Sequence, residues 1–150
     1  MFKLKPFPFS LVVLALLVIL HLVGSNYSWY WIYPWFDTLV HIVSGLWVAL
    51  VFLWLSTYLG QIDSLREYKV KSFLIALISA VLIGVVWEIL ENFSQTTYTR
   101  ALGYGLDTAL DILSDALGGV LAYLYFVKRR RCRTEPAPNL HPFYTQVRSN

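Results

Sequence analysis

Hydrophobic residues in this chain fall into four long runs, separated by shorter polar or aromatic stretches. Each run is long enough to cross a bilayer, because about 20 apolar helical residues span the hydrocarbon layer. The pattern predicts an all-α polytopic membrane protein whose transmembrane domain, residues 1–127, is a four-helix bundle. The predicted helices cover about residues 7–24, 35–59, 70–93 and 106–127, and residues 128–150 form a basic, proline-containing tail.

Composition agrees with this class, since 57% of the 150 residues are hydrophobic and only 14% are charged. The 12 Lys and Arg residues lie between or at the edges of the predicted helices, whereas six of the 9 acids lie within them or at their ends. The single cysteine, Cys132, excludes an intrachain disulfide. The membrane-embedded charge is therefore all negative, and it comes from Asp37, Glu88, Glu91, Asp107, Asp111 and Asp115.

These acids recur at helical spacing. Asp107, Asp111 and Asp115 stand four residues apart and share one face of the last predicted helix. Asp37 and His41 share a face of the second helix in the same way. A carboxylate inside a membrane span costs on the order of 2.5–3.5 kcal/mol, so the acidic faces require a cation, protons or a water-filled cavity.

Charge around the helix ends predicts the topology. Lys and Arg are concentrated before the first helix, between the second and third, and after the fourth, so both termini should be cytoplasmic. All the membrane-embedded acids then lie towards the external side at similar depth. Residues 25–35, rich in Trp and Tyr, are predicted to form a loop at the headgroup level. Residues 1–25 also fit the template of a cleaved signal peptide.

Close helix contacts are predicted where small residues repeat every fourth position, as in Gly45 with Ala49 and Ala80 with Gly84. Carboxylates and imidazole with no basic residue among them suit a divalent metal ion. The expected metal ligands are His41, Glu88, Asp107, Asp111 and Asp115, with His21 able to reach the same region.

Other roles for these side chains are open. Asp37 and Asp107 occupy helix starts, where aspartate caps backbone amides and complements the helix dipole. Some acids could instead be protonated and join neighbouring helices by hydrogen bonds. Glu91 could pair with Arg100 in the external loop. The run KRRRCR after the last helix is interpreted as a topology determinant that attracts anionic lipid, not nucleic acid.

Three ordered motifs resemble the YjdF-like group of bacterial inner-membrane proteins and are more loosely similar to VanZ-like proteins. They are D-x-x-x-H with a following glycine (Asp37, His41, Gly45), W-E-x-x-E (Trp87, Glu88, Glu91) and D-T-x-x-D-x-x-x-D-x-x-G (Asp107, Asp111, Asp115, Gly118). The VanZ-like pattern is met by His41, Glu91, Gln95, Arg100, Asp111 and Gly118, although Asp115 stands where those proteins tend to have Asn. The resemblance implies a shared membrane architecture with an acidic site and names no reaction. Members of the VanZ-like group are linked to glycopeptide resistance.

The leading functional hypothesis is a metal-assisted hydrolase or transferase acting on an amphiphilic or lipid-linked substrate at the outer leaflet. Glu91 or Asp37 would act as base, while Arg100 and Gln95 would bind the substrate. One alternative is a proton- or cation-coupled carrier, which would need an oligomer because the inner half of the fourth helix lacks acids. The other is a non-catalytic protein that binds an external ligand and confers resistance.

Overall fold

A computed structural model describes residues 7–62, 68–94 and 104–134, and every regular element in those ranges is an α-helix. The helices are α1 (Phe7–Asn26), α2 (Trp29–Ile32), α3 (Pro34–Tyr58), α4 (Tyr68–Ser94) and α5 (Tyr104–Thr134). All but α2 are long and apolar enough to cross a membrane. The prediction of an all-α, four-helix membrane protein is confirmed.

Helix α2 is a single turn where the sequence suggested only a loop. It follows Ser28, whose backbone lies in the left-handed region at φ 56° and redirects the chain after α1. The carbonyl of Ser28 then accepts from the amides of Trp31 and Ile32, which closes the turn. Pro34 begins α3 as predicted, because its fixed φ suits the first helical position and its missing amide hydrogen is not needed there.

Helix α5 extends seven residues beyond the predicted end at Val127 and includes the run KRRRCR. Lys and Arg are good helix formers, and their charge complements the negative end of the helix dipole. The guanidinium group of Arg130 donates through Nη1 to the carbonyl of Ile62 at 2.9 Å. It also lies 4.9 Å from the centre of the Tyr68 ring, so this turn of α5 is held against Ile62 and the first residue of α4.

Helix α3 is central, packing against α1, α4 and α5, and α5 also packs along α4. The apolar core lies in the half of these helices away from the acids. It is formed by buried side chains that include Leu50, Leu53, Ala76, Ala122 and Phe126. On α1, Phe9 stacks on Tyr125 of α5 with ring centres 4.4 Å apart. The opposite half of α3, α4 and α5 is left for polar side chains.

The three central helices come closest around Asp115 of α5. A Cβ atom added to Gly45 of α3 would strike the Asp115 backbone, with Cα at 2.7 Å. A Cβ added to Gly84 of α4 would strike the Asp115 carboxylate. Glycine at both positions lets two helices contact Asp115 from different sides, which draws α3 and α4 against one turn of α5.

Candidate metal centre

His41 is the hub of the polar cluster. Its side chain is buried, and its Nδ1 lies 3.0 Å from Oδ2 of Asp115. The hydroxyl of Ser44 lies 2.7 Å from the other oxygen, Oδ1, of the same carboxylate, and 2.8 Å from the carbonyl of His41. When Nδ1 donates to this carboxylate, the lone pair of a neutral imidazole lies on Nε2.

Carboxylates from three helices surround Nε2 of His41. Oδ1 of Asp37 lies 3.9 Å away, Oε1 of Glu88 3.8 Å and Oδ1 of Asp111 4.0 Å. Two ligands bound to one ion at about 2.0–2.2 Å can stand up to roughly 4.4 Å apart. The spacing between Nε2 and each carboxylate oxygen therefore fits a shared ion.

Asp37, His41 and Asp111 form a compact group whose possible ligand atoms all lie within 4.8 Å of one another. His41 and Asp111 are buried, whereas the Asp37 side chain is 28% exposed. This exposure places Asp37 on the open side of the group. The buried His/Asp group can hold a metal ion.

Glu88 lies beside this group with two differently placed oxygens. Oε2 accepts a hydrogen bond from the Thr108 hydroxyl at 3.0 Å. Oε1 is buried and has no hydrogen-bond partner among the described residues. Since burying an unpaired carboxylate oxygen is unfavourable, this atom marks the side of Glu88 where a cation would be stabilised.

The remaining predicted ligands occupy other positions. Asp115 lies on the Nδ1 side of His41, so its carboxylate orients the imidazole and does not face Nε2. Asp107 is exposed in the first turn of α5 and lies outside the three-residue group. Glu91 is partly exposed, one turn beyond Glu88 on α4. Gln95 and Arg100 lie outside the described residues.

Neither aspartate at a helix start is the N-cap residue. The N-cap of α3 is Tyr33, which makes no side-chain capping bond, and Asp37 lies three residues inside the helix. Asp107 likewise lies three residues after the start of α5, in the first turn, where its charge complements the helix dipole. For Asp37 the structure thus favours the site over capping.

His21 pairs with Tyr30 and not with the acids. Its Nδ1 lies 3.0 Å from the Tyr30 hydroxyl, joining α1 to α2. Burial raises the pKa of Tyr30 to about 12, and the negative charges of Asp37 and Glu91 act in the same direction. Tyr30 also meets Phe36 edge to face, with ring centres 5.1 Å apart. The aromatic stretch predicted for the headgroup level therefore borders the acidic cluster.

The sequence did not assign a role in the site to two residues. Thr108 is the partner of Glu88, and Gly84, which was predicted only as a close helix contact, meets Asp115. The sequence spacing to the nearest acid indicates both residues. Thr108 precedes Asp111 by three residues and shares its helix face, while Gly84 precedes Glu88 by four. Extending each acidic face by one turn would have included both.

Comparison with known proteins adds a family. The sequence model of a family described as "Predicted membrane protein (DUF2238)" matches residues 2–131. No curated protein matches the chain, and no solved structure matches it.

Proposed function

The chain belongs to this DUF2238 family of predicted membrane proteins, and from that premise we propose that it binds a divalent metal ion inside the membrane. The ligands are Asp37, His41 and Asp111, with Glu88 beside them. The proposal rests on one observation: three carboxylate oxygens lie 3.8–4.0 Å from Nε2 of His41.

The orientation of His41 supports a metal site. Histidines that bind metals commonly donate their other ring hydrogen to a carboxylate, which fixes the ring and makes the ligating nitrogen more basic. Asp115 holds Nδ1 in this way, and Ser44 holds Asp115. Several oxygens with one nitrogen suit hard or borderline ions such as Mn²⁺, Fe²⁺ or Zn²⁺.

The chemistry we propose is metal-assisted hydrolysis or group transfer on an amphiphilic or lipid-linked substrate. A metal ion at this site would polarise a substrate oxygen or activate a water molecule. In this scheme Asp37 serves as a ligand, and we assign proton exchange to Glu91. Arg100 and Gln95, from the connection between α4 and α5, would bind an anionic part of the substrate.

The proposed setting is a bacterial inner membrane, with both termini cytoplasmic and the site facing the outer leaflet. The exposed aromatic side chains of Trp31 and Trp35 support an interfacial position for this end of the bundle. As part of this proposal, we take the resemblance to YjdF-like and VanZ-like proteins to favour action on the cell envelope. In the same membrane, the alternative to catalysis is a non-catalytic protein that binds a ligand or confers resistance.

A proton- or cation-coupled carrier is the second candidate, favoured by the buried Oε1 of Glu88, which accepts no hydrogen bond among the described residues. Acidic side chains within membrane helices mark ion and proton pathways in many transporters. Here the acids occupy one end of the bundle, and the other end is filled by the apolar core. A carrier would therefore need a second copy of the chain to complete a path.

Elemental analysis of detergent-purified protein tests the metal proposal. Wild type is compared with Asp111→Asn and with Ser114→Ala, a matched control on the same helix whose hydroxyl donates to its own helix backbone. We expect near-stoichiometric metal in wild type and in Ser114→Ala, and loss of metal in Asp111→Asn. Absence of metal from wild type, even after incubation with Mn²⁺ or Zn²⁺, would reject the metal site and leave the carrier.

A further inference from the structure

We infer that Thr108 is a positioning residue that holds Glu88 so that Oε1 serves as the fourth ligand of the ion. This inference rests on the proposed metal site and extends it across the interface between α4 and α5. It assigns a role to a hydroxyl whose described hydrogen bond is to Glu88 and to no other proposed ligand. It also makes Glu88 a ligand through one oxygen only.

The direction of the Thr108 hydroxyl supports this role. Hydroxyl groups inside helices usually donate to a carbonyl one turn earlier in their own helix. Ser114 does so to Leu110 at 2.7 Å, and Thr57 does so to Leu53 at 2.8 Å. Thr108 instead crosses to α4 and donates to Oε2 of Glu88 at 3.0 Å.

The burial of Glu88 supplies the second observation. The residue is 6% exposed, and its Oε1 has no hydrogen-bond partner among the described residues. That same oxygen lies 3.8 Å from Nε2 of His41. With one oxygen held by Thr108, the other is directed at the place where the proposed ion binds. The ion offsets the unfavourable burial of that oxygen.

Glu88 needs such a support more than the other ligands do. Asp37, His41 and Asp111 already lie within 4.8 Å of one another, and Glu88 is not part of that compact group. Its longer side chain has one more rotatable bond than aspartate. A bond from Thr108 limits its rotamers and decides which oxygen faces His41.

The resulting site has one nitrogen and three oxygens, contributed by α3, α4 and α5. Without Glu88, α4 would contribute no ligand and the ion would join only α3 and α5. With Glu88 as a ligand, the bound ion therefore connects all three central helices. Thr108 influences this connection by positioning Glu88 and does not itself contact the ion.

The test measures Mn²⁺ affinity by calorimetric titration of purified full-length protein. The variants are Thr108→Val, which keeps the shape and removes the hydroxyl, Thr108→Ser, which restores it, and Glu88→Gln. Ser114→Ala is the matched control, because its hydroxyl serves only its own helix backbone among the described contacts. Loss of a residue that orients a ligand typically weakens metal binding about 10–100-fold.

We expect Thr108→Val to weaken Mn²⁺ binding by that factor, Thr108→Ser to restore it, and Ser114→Ala to leave it unchanged. In the Glu88→Gln background, Thr108→Val should have no further effect, because Thr108 acts through Glu88. Thermal unfolding without metal shows whether each variant folds. The role of Thr108 is refuted if folded Thr108→Val binds Mn²⁺ as tightly as wild type does. It is also refuted if the losses of Mn²⁺ affinity in Thr108→Val and Glu88→Gln add fully in the double variant. In both cases the proposed metal site itself is unaffected. Failure of wild type to bind Mn²⁺ and Zn²⁺ would refute both proposals.

Discussion

Oδ2 of Asp115 lies 3.0 Å from Nδ1 of His41, a contact between buried side chains that are 74 residues apart in the sequence. The contact determines which imidazole nitrogen is available to the other acids. It also joins the first half of α3 to the middle of α5. A single hydrogen bond thus connects the packing of two helices to the chemistry of the candidate site.

Replacing Asp115 by Asn should keep the side-chain shape and remove the negative charge that orients His41. We expect metal affinity to fall by about 10–100-fold, as for other residues that orient a metal-binding histidine. Titration with Mn²⁺ measures the change. The control Ser114→Ala, at the neighbouring position on the same helix, should bind Mn²⁺ as wild type does. Equal affinities in wild type and Asp115→Asn would contradict the assigned role.

Replacing Gly84 by Ala should destabilise the protein, because the new Cβ would collide with the Asp115 carboxylate. Overpacking of this kind typically costs about 1–3 kcal/mol. Thermal unfolding in detergent measures the loss, and Mn²⁺ affinity should fall with it. Gly105→Ala is the control, since a Cβ there would meet nothing within 4 Å. A Gly84→Ala variant as stable as Gly105→Ala would show that the α4–α5 contact is looser than described.

Alkaline pH should destabilise the contact between α1 and α2 through Tyr30. Folding raises the pKa of this phenol from 10.0 to about 12, so the folded state retains a proton that the unfolded chain loses. The contribution of Tyr30 to stability is therefore fully present below pH 10 and is lost as pH rises towards about 12.

Unfolding temperatures between pH 9 and 11.5 check this expectation for wild type, Tyr30→Phe and Tyr27→Phe. Tyr27 is 67% exposed and serves as the control. Tyr30→Phe should lose less stability across this range than the other two proteins. Parallel pH curves for all three would exclude Tyr30 as a source of the alkaline loss.

Replacing Arg130 by Ala should loosen the end of α5. The variant loses the hydrogen bond to the Ile62 carbonyl and the contact with the Tyr68 ring. Together these interactions are worth roughly 1–2 kcal/mol in a partly exposed setting. Thermal unfolding should show the decrease for Arg130→Ala and little change for Lys128→Ala, where the side chain is exposed. Similar decreases of the unfolding temperature in both variants would indicate that the loss of a positive charge, and not the loss of these two contacts, destabilises the protein.

The sequence predicted the four spanning helices because run length and hydrophobicity are properties of the chain alone. It also placed Asp37, His41, Glu88 and Asp111 at one end of the bundle, since topology fixes the depth of each residue. Depth does not fix the rotation of a helix about its axis. Asp115 was therefore expected beside the other ligands, whereas it lies on the opposite nitrogen of His41.

Local departures have similar physical causes. Helix α5 continues beyond Val127, and there Arg130 contacts Ile62, a residue from a distant part of the chain that run length alone does not reveal. The turn of α2 depends on one left-handed residue, Ser28, in a stretch with no helical periodicity. The role of Thr108 depends on a side-chain rotamer, because the same residue type could equally donate to its own helix.

The contact between His41 and Asp115 also bears on how the chain enters the membrane. Helix α5 is the least hydropathic of the four candidate spans, and it is synthesised last. The buried acids of α5 therefore enter the membrane after α3 has been inserted. His41 can then form its contact with Asp115 as soon as α5 is inserted. An early partner of this kind lowers the barrier to inserting a helix that lipid alone would accept poorly. Loss of His41 is then expected to reduce the yield of inserted protein as well as the proposed metal binding.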